Sequence, residues 1–288
     1  MMAQTFTINN AAHIGTVGLK VANLSKQVAF YTEIIGLDIL GKDGDSAVLG
    51  IKGNSTELLK LKEVQNPNMK AKKAGLYHTA FLLPTRKDLG NTLFSLLKNN
   101  TAIIGASDHG YSEAVYLEDP EGNGIEIYSD KPETKWDVRP DGQIIGITVE
   151  MDAEGVLASR DEKTDKFPVG TKIGHIHLSV SDLEQTENFY MNTLGMGLKD
   201  HFGQYASFFA AGSYHHHIGT NVWTGRGLPA PDEKDLGLDF FTILVPDKAA
   251  LTKVKRNVEK NGEIIISETE ASILLPDPSG INVRIEIE

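Results

Sequence analysis

Two stretches in opposite halves of the 288-residue sequence read alike. In the first, Gly15-Thr-Val-Gly-Leu-Lys-Val21 leads through Asn23-Leu-Ser25 to Phe30-Tyr31 and Ile35-Gly36-Leu37. In the second, Gly174-His-Ile-His-Leu-Ser-Val180 leads through Ser181-Asp-Leu183 to Phe189-Tyr190 and Leu194-Gly195-Met196. Alternating apolar residues predict a strand, Asn or Asp supplies a helix N-cap, and the glycine after the Tyr-containing run stops the helix. A second pattern also occurs twice. Gly75-Leu-Tyr-His-Thr-Ala-Phe-Leu-Leu-Pro84 resembles Gly237-Leu-Asp-Phe-Phe-Thr-Ile-Leu-Val-Pro246, and amphipathic helices are expected over 86–98 and 247–260. Each copy closes on an Asp-Pro-x-Gly turn into a last strand, Asp119-Pro-Glu-Gly-Asn-Gly-Ile-Glu126 and Asp277-Pro-Ser-Gly-Ile-Asn-Val-Arg284. A unit that recurs every ~50 residues must be one supersecondary module stacked on its neighbours. The modules lie near residues 13–62, 75–129, 172–224 and 236–288.

This length alone favours two domains, and the repeat places them at residues 1–130 and 172–288, two modules each, with 131–171 as connector. The connector holds the charged run Arg160-Asp-Glu-Lys-Thr-Asp-Lys166, and its Ile144-Ile-Gly-Ile-Thr-Val149 offers an extra strand. The sequence has no cysteine, so disulfides, thiolate metal sites and cysteine nucleophiles are excluded together. Any metal falls to His, Asp or Glu, and the nine histidines become the residues to follow. A formal net charge of -11 without a basic run argues against nucleic acid as a partner. The first residues lack a basic segment followed by an apolar one, and no stretch approaches the ~18 apolar residues of a membrane span, so a cytoplasmic protein without membrane association is expected.

Four β-α-β-β-β modules, with His on first strands and Asp-Pro-x-Gly-Asn-x-x-Glu on a last strand, resemble the vicinal oxygen chelate superfamily. That group includes glyoxalase I, bleomycin-resistance proteins and extradiol dioxygenases. The segments 109–128 and 173–180, with Tyr214-His-His-His-Ile-Gly219, are similar to bacterial extradiol catechol dioxygenases. The resemblance implies an α+β fold in which paired modules form two cup-shaped half-barrels, one of them holding a divalent metal between facing first and last strands.

The ligand positions that the resemblance implies fall on His78, Glu126 and His175 in modules two and three. In modules one and four the corresponding positions carry Thr16, Phe240 and Arg284, which make no plausible metal set. Module two is therefore expected to pair with module three, and module one with module four in a degenerate cup. Two His and one carboxylate suit a nonheme Fe(II) centre with open positions, while Zn and Mn accept the same donors. The resemblance further implies His216 as acid/base beside the O2 position, placed on a late strand with His215 and His217 facing the other way. It implies Tyr116 and His109 as contacts to substrate oxygen.

Plainer readings stand beside these. His78 could be a strand residue satisfied by a carbonyl, Glu126 a surface carboxylate on the face opposite Ile125 and Ile127, and the run His215–His217 an adventitious surface tract. His177 shares a face with His175 and could replace it or line a pocket. His13 and His201 read as structural or exposed, and Phe208 and Trp223 as core or pocket wall. The leading expectation is Fe(II)-dependent extradiol cleavage of a catechol, with the catechol and O2 as partners; the oligomeric state is left open, the resemblance allowing homo-oligomers through exposed sheet edges. The alternatives are a glyoxalase-type isomerase or lyase, which would want a fourth protein ligand, and a metal-free aromatic- or drug-binding protein.

Overall fold

The computed structural model describes residues 6–53, 56–161 and 166–288. The central residues 162–165 of the charged connector run and residues 1–5 lie outside them. Module one comprises β1 (His13–Val21), α1 (Leu24–Phe30), β2 (Asp38–Asp43), β3 (Ser46–Ile51) and β4 (Thr56–Glu63). Module two comprises β5 (Gly75–Leu83), α2 (Arg86–Lys98), β6 (Gly105–Asp108), β7 (Ser112–Glu118) and β8 (Gly124–Asp130). The connector carries β9 (Asp137–Val138), β10 (Ile144–Ile145), β11 (Val149–Glu150) and α3 (Ala153–Ala158). Module three comprises β12 (Lys172–Ser179), α4 (Leu183–Asn188), β13 (Gly197–Phe202), β14 (Ala206–Ala210) and β15 (Ile218–Asn221). Module four comprises β16 (Gly237–Val245), α5 (Lys248–Lys260), β17 (Ser267–Glu268), β18 (Ser272–Pro276) and β19 (Asn282–Ile287). The fold is α+β, four modules in two curled sheets.

Local chemistry explains why the modules match. Asn23, Thr85, Asp182 and Asp247 each accept a backbone N–H three residues ahead and so cap the four module helices. In modules one and three the helix continues into a π turn, Tyr31–Ile35 and Phe189–Thr193. Gly36 and Gly195 then take positive φ, which a side chain would resist. In the Asp-Pro turns, Asp119 Oδ1 accepts from the amides of Glu121 and Asn123, and Asp277 Oδ1 from those of Ser279 and Ile281. The hydroxyls of Tyr31 and Tyr190 donate to Asp119 and Asp277, so the helix of one module is clasped to the last turn of the next.

The sheets follow a different pairing from these clasps. One is ordered β17-β18-β19-β16-β1-β4-β3-β2 and joins module four to module one; the other is β11-β6-β7-β8-β5-β12-β15-β14-β13 and joins module two to module three. Each join is an antiparallel pairing of first strands, β1 with β16 and β5 with β12. The sequence expectation that the middle modules share one sheet is met. The apolar faces of both sheets and the module helices pack into one continuous core. The connector strand expected at 144–149 is instead two short strands, β10 pairing with β9 and β11 extending the second sheet beside β6. Among the described residues no helix is long and apolar enough to cross a membrane.

Candidate metal centre and the cavity around it

The register of three neighbouring strands builds the centre. His175 on β12 lies opposite Ala80 on β5, and Ala80 lies beside Glu126 on β8. His78 stands two residues before Ala80 and so points to the same face. Ala80 offers only a methyl between the flanking side chains, which leaves room above it for the other three to converge. His78 Nε2 lies 3.0 Å from Glu126 Oε2, His175 Nε2 3.2 Å from that oxygen, and the two imidazole nitrogens are 3.3 Å apart. Donors that share one ion at ~2.1 Å per bond are separated by about 3.0–3.4 Å, so this triangle fits a single divalent cation. Among the described residues these three form the one group of metal-binding side chains drawn so close together, and all are buried.

The protonation states fit as well. Burial pushes the His175 ring down to about 4, against the pull of Glu126, which leaves it neutral and able to offer a lone pair. Burial works to raise the Glu126 carboxyl, but His175 and His78 hold it well below the usual carboxylate range. A buried carboxylate facing the neutral His175 ring is poorly compensated by protein alone and is matched by a cation. The plainer readings of His78 as carbonyl-satisfied and Glu126 as a surface group do not hold, since both are buried and face each other.

A cavity of about 530 Å³ opens over the triangle, within the range of small-molecule sites. Its wall includes Tyr77, Phe208 and Trp223, so the pocket-wall reading of the last two holds. His109 and Tyr116 border it and meet each other. His109 Nδ1 faces the carbonyl of Ile147 at 2.9 Å and must donate there, so its Nε2 accepts from the Tyr116 hydroxyl at 2.6 Å. Burial first and the Glu126 charge second raise the Tyr116 phenol well above its ordinary value, which keeps it a hydrogen-bond donor.

His216 borders the cavity too, its ring centre 4.3 Å from that of His175. Burial, then the neighbouring His175, His215 and His177 rings, pushes it well below the ordinary histidine range. Its placement on a strand is corrected here: β14 ends at Ala210 and β15 starts at Ile218, so residues 211–217 form a connecting loop. Strand alternation therefore does not govern the histidine run. Nor is the run a surface tract, because all three rings are buried, with His215 only 1% exposed, and each has a separate partner. His177 lines the cavity opposite His78, and its buried Nε2 has no hydrogen-bond partner. It is not within the close triangle, so a role as substitute ligand is not supported. His13 bonds locally to the Ala11 carbonyl, and exposed His201 pairs with Glu187.

The outer sheet carries no such centre at the equivalent positions. The Arg284 guanidinium lies 4.0 Å over the Phe240 ring, and Thr16 donates to the Glu57 carbonyl. A Cβ on Gly18 would fall 2.4 Å from Phe240, so the phenyl ring occupies the space above β1.

Several cavity residues carried no sequence motif. Gly146, Ile147 and Thr148 of the connector line it, as does Asp200 on β13, whose carboxylate accepts the Gly146 amide at 2.9 Å. The apolar run 144–149 was the available signal, since an apolar stretch in a polar connector must cover something.

The family model described as the glyoxalase/bleomycin resistance protein/dioxygenase superfamily matches residues 13–127 and 172–285. A relative from Bacillus subtilis named catechol-2,3-dioxygenase is 40% identical over 278 residues, which is 94% of this chain and 96% of that protein. Among solved structures, a glyoxalase I variant from Zea mays superposes with a TM-score of 0.60 at 16% identity, covering 96% of this chain and 94% of the other. The CppA protein of Streptococcus pneumoniae gives 0.60 at 15% identity, covering 99% and 100%. At such identities these structures speak for the fold alone, which they share along nearly the whole chain. With the repeat, the sheet pairing and these matches together, the chain belongs to the glyoxalase/bleomycin resistance protein/dioxygenase superfamily.

Proposed function

We propose that this protein is an extradiol dioxygenase that cleaves catechol, or a substituted catechol, beside the diol to give a hydroxymuconic semialdehyde. His78, Glu126 and His175 hold Fe(II). The observation that carries the reading is the three-donor triangle on one wall of a cavity whose other walls present His216, Tyr116 and His109. The catechol dioxygenase named among the relatives supports it. When bound, Fe(II) supplies a template for both catechol oxygens and O2 and a route for electrons between them.

The protein's own side chains have separable tasks. His216, a neutral ring, accepts a proton from a substrate hydroxyl and returns it later to an oxygen of the opening ring. Tyr116, its proton held by His109, which is itself anchored to the Ile147 carbonyl, presents its hydroxyl oxygen as acceptor to a substrate O–H. Phe208, Trp223 and Ile147 narrow the cavity around an aromatic ring and exclude water.

A glyoxalase-type isomerase would use the same fold with a fourth protein ligand, and among the described residues no fourth donor joins the triangle. A metal-free binding protein would leave Glu126 charged and buried without a cation. The test is direct. Protein loaded anaerobically with Fe(II) is mixed with catechol and air, and the yellow semialdehyde is followed by absorbance. Absence of colour with each of a panel of catechols, in protein shown to hold iron, refutes the proposal.

A further inference from the structure

His216 is the last member of a largely buried hydrogen-bonded chain that passes through the half-buried Tyr214 and Asp130 from the far end of β8. The Tyr214 hydroxyl donates to Asp130 Oδ2 at 3.0 Å, and since its proton is committed there, the Tyr128 hydroxyl must donate to Tyr214 at 2.8 Å. Asp130 Oδ1 lies 3.0 Å from His215 Nε2, and His215 Nδ1 lies 2.9 Å from His216 Nδ1. The His215 ring is clamped between Tyr111, stacked at 4.1 Å and 11°, and Tyr214, also at 4.1 Å, with Trp136 of the connector against its edge. Such a ring has no room to turn.

We infer that Asp130 and His215 are positioning residues that fix His216 as the tautomer with a proton on Nδ1 and a bare Nε2. The derivation needs only donors and acceptors. A carboxylate accepts, so His215 Nε2 carries hydrogen and donates to Asp130. With one ring proton, held at Nε2 by that carboxylate, His215 has a bare Nδ1 that can only accept. The contact at 2.9 Å therefore requires His216 Nδ1 to donate, which leaves the lone pair of His216 on Nε2. That nitrogen has no partner among the described residues, and the ring borders the cavity. A base so arranged is ready before substrate arrives: the substrate O–H bond breaks, an Nε2–H bond forms on His216, and the Nδ1 proton stays directed at His215. Without the chain either ring nitrogen could carry the proton, and the share of His216 with Nε2–H could not accept from substrate.

This assignment rests on the proposed role of His216 at a catechol, but its test does not. Metal-free protein labelled with 15N-histidine is examined by long-range 1H–15N correlation, with His216 assigned from the signals lost in His216→Gln. The expected result is Nδ1–H at His216 in the unmodified protein and a shift toward Nε2–H in His215→Phe, which keeps the stacking but removes both hydrogen bonds. Nε2–H in the unmodified protein overturns the inference whatever the enzyme does. In the Fe(II)-loaded enzyme, His215→Phe is expected to lower kcat about 10- to 100-fold with the KM for catechol changed less than about threefold. His215→Gln, with an amide donor for Asp130 and an oxygen acceptor for His216, is expected to recover part of that loss. Full kcat in His215→Phe overturns the inference while leaving the dioxygenase reading intact. An inactive unmodified enzyme with the expected tautomer sinks the reading and leaves the hydrogen-bond assignment standing.

Discussion

Replacing Gly174 by alanine puts a methyl group where the Tyr128 hydroxyl already is. The added Cβ would stand 1.8 Å from Tyr128 Oη, 2.8 Å from its Cζ and 2.9 Å from Leu82 Cβ. Neither neighbour is free to yield, because Tyr128 is fully buried and Leu82 is anchored in β5. Overpacking of this kind costs about 1–3 kcal/mol. Displacing Tyr128 from Tyr214 leaves a buried hydroxyl unpaired, for about 1–3 kcal/mol more. The expected loss is about 2–6 kcal/mol, which at about 2 °C per kcal/mol for a chain this long is a drop in melting temperature of ~4–12 °C. Thermal melts in chelator-treated buffer measure it without interference from bound metal. Tyr128→Phe removes the atom that clashes worst, so Gly174→Ala with Tyr128→Phe should be at least about 1 kcal/mol more stable than the sum of the single effects. Strict additivity, or a Gly174→Ala melt within 1 °C of the parent, refutes the close-packing argument. Because Gly174 precedes His175, the variant should also bind metal more weakly.

Further outcomes follow from other parts of the molecule. Tyr116→Phe removes the donor opposite His109 and should lower kcat/KM for catechol about 10-fold in iron-loaded enzyme with iron content unchanged, which steady-state kinetics with metal analysis will show. Arg284→Ala breaks the stack on Phe240 and should leave metal binding at one ion per chain by titration; a second ion in the parent protein would contradict a degenerate outer cup. Asp235 resists burial, and Lys73, the Asp232 amide and Asn68 bring it down to about 2. A carboxyl depressed on folding stabilises above its unfolded value near ~4 and loses that contribution as pH falls toward about 2, so the stability gap between parent and Asp235→Asn should narrow over that interval in urea denaturation.

The sequence was most legible where structure is local. N-caps at Asn23, Thr85, Asp182 and Asp247, and the Asp119 and Asp277 turns, bond within a few residues of themselves, and so mark module edges without tertiary information. The positions of His78, Glu126 and His175 came from the resemblance, and the choice of modules two and three from finding Thr16, Phe240 and Arg284 in the other two. What escaped was built by segments distant in the chain. Asp130 and His215 meet across 85 residues, and Gly146 reaches Asp200 across 54. The His215–His217 run misled because alternation presumes an extended strand, whereas here the backbone turns and sends His215 to Asp130, His216 to His215 and His217 to the Ala211 amide. Ala80 gave no signal either, since its contribution is the space it leaves.

The central claim is that modules from opposite halves build one metal centre between them. Crystals of protein loaded with Mn(II), an ion of the same charge that withstands air, should show one strong anomalous peak per chain. The account predicts that peak at ~2.0–2.3 Å from His78 Nε2, His175 Nε2 and Glu126 Oε2 together, with the remaining positions open to the cavity. A peak bound instead to the His215–His217 loop, or no peak at the triangle in protein that retains manganese, contradicts it.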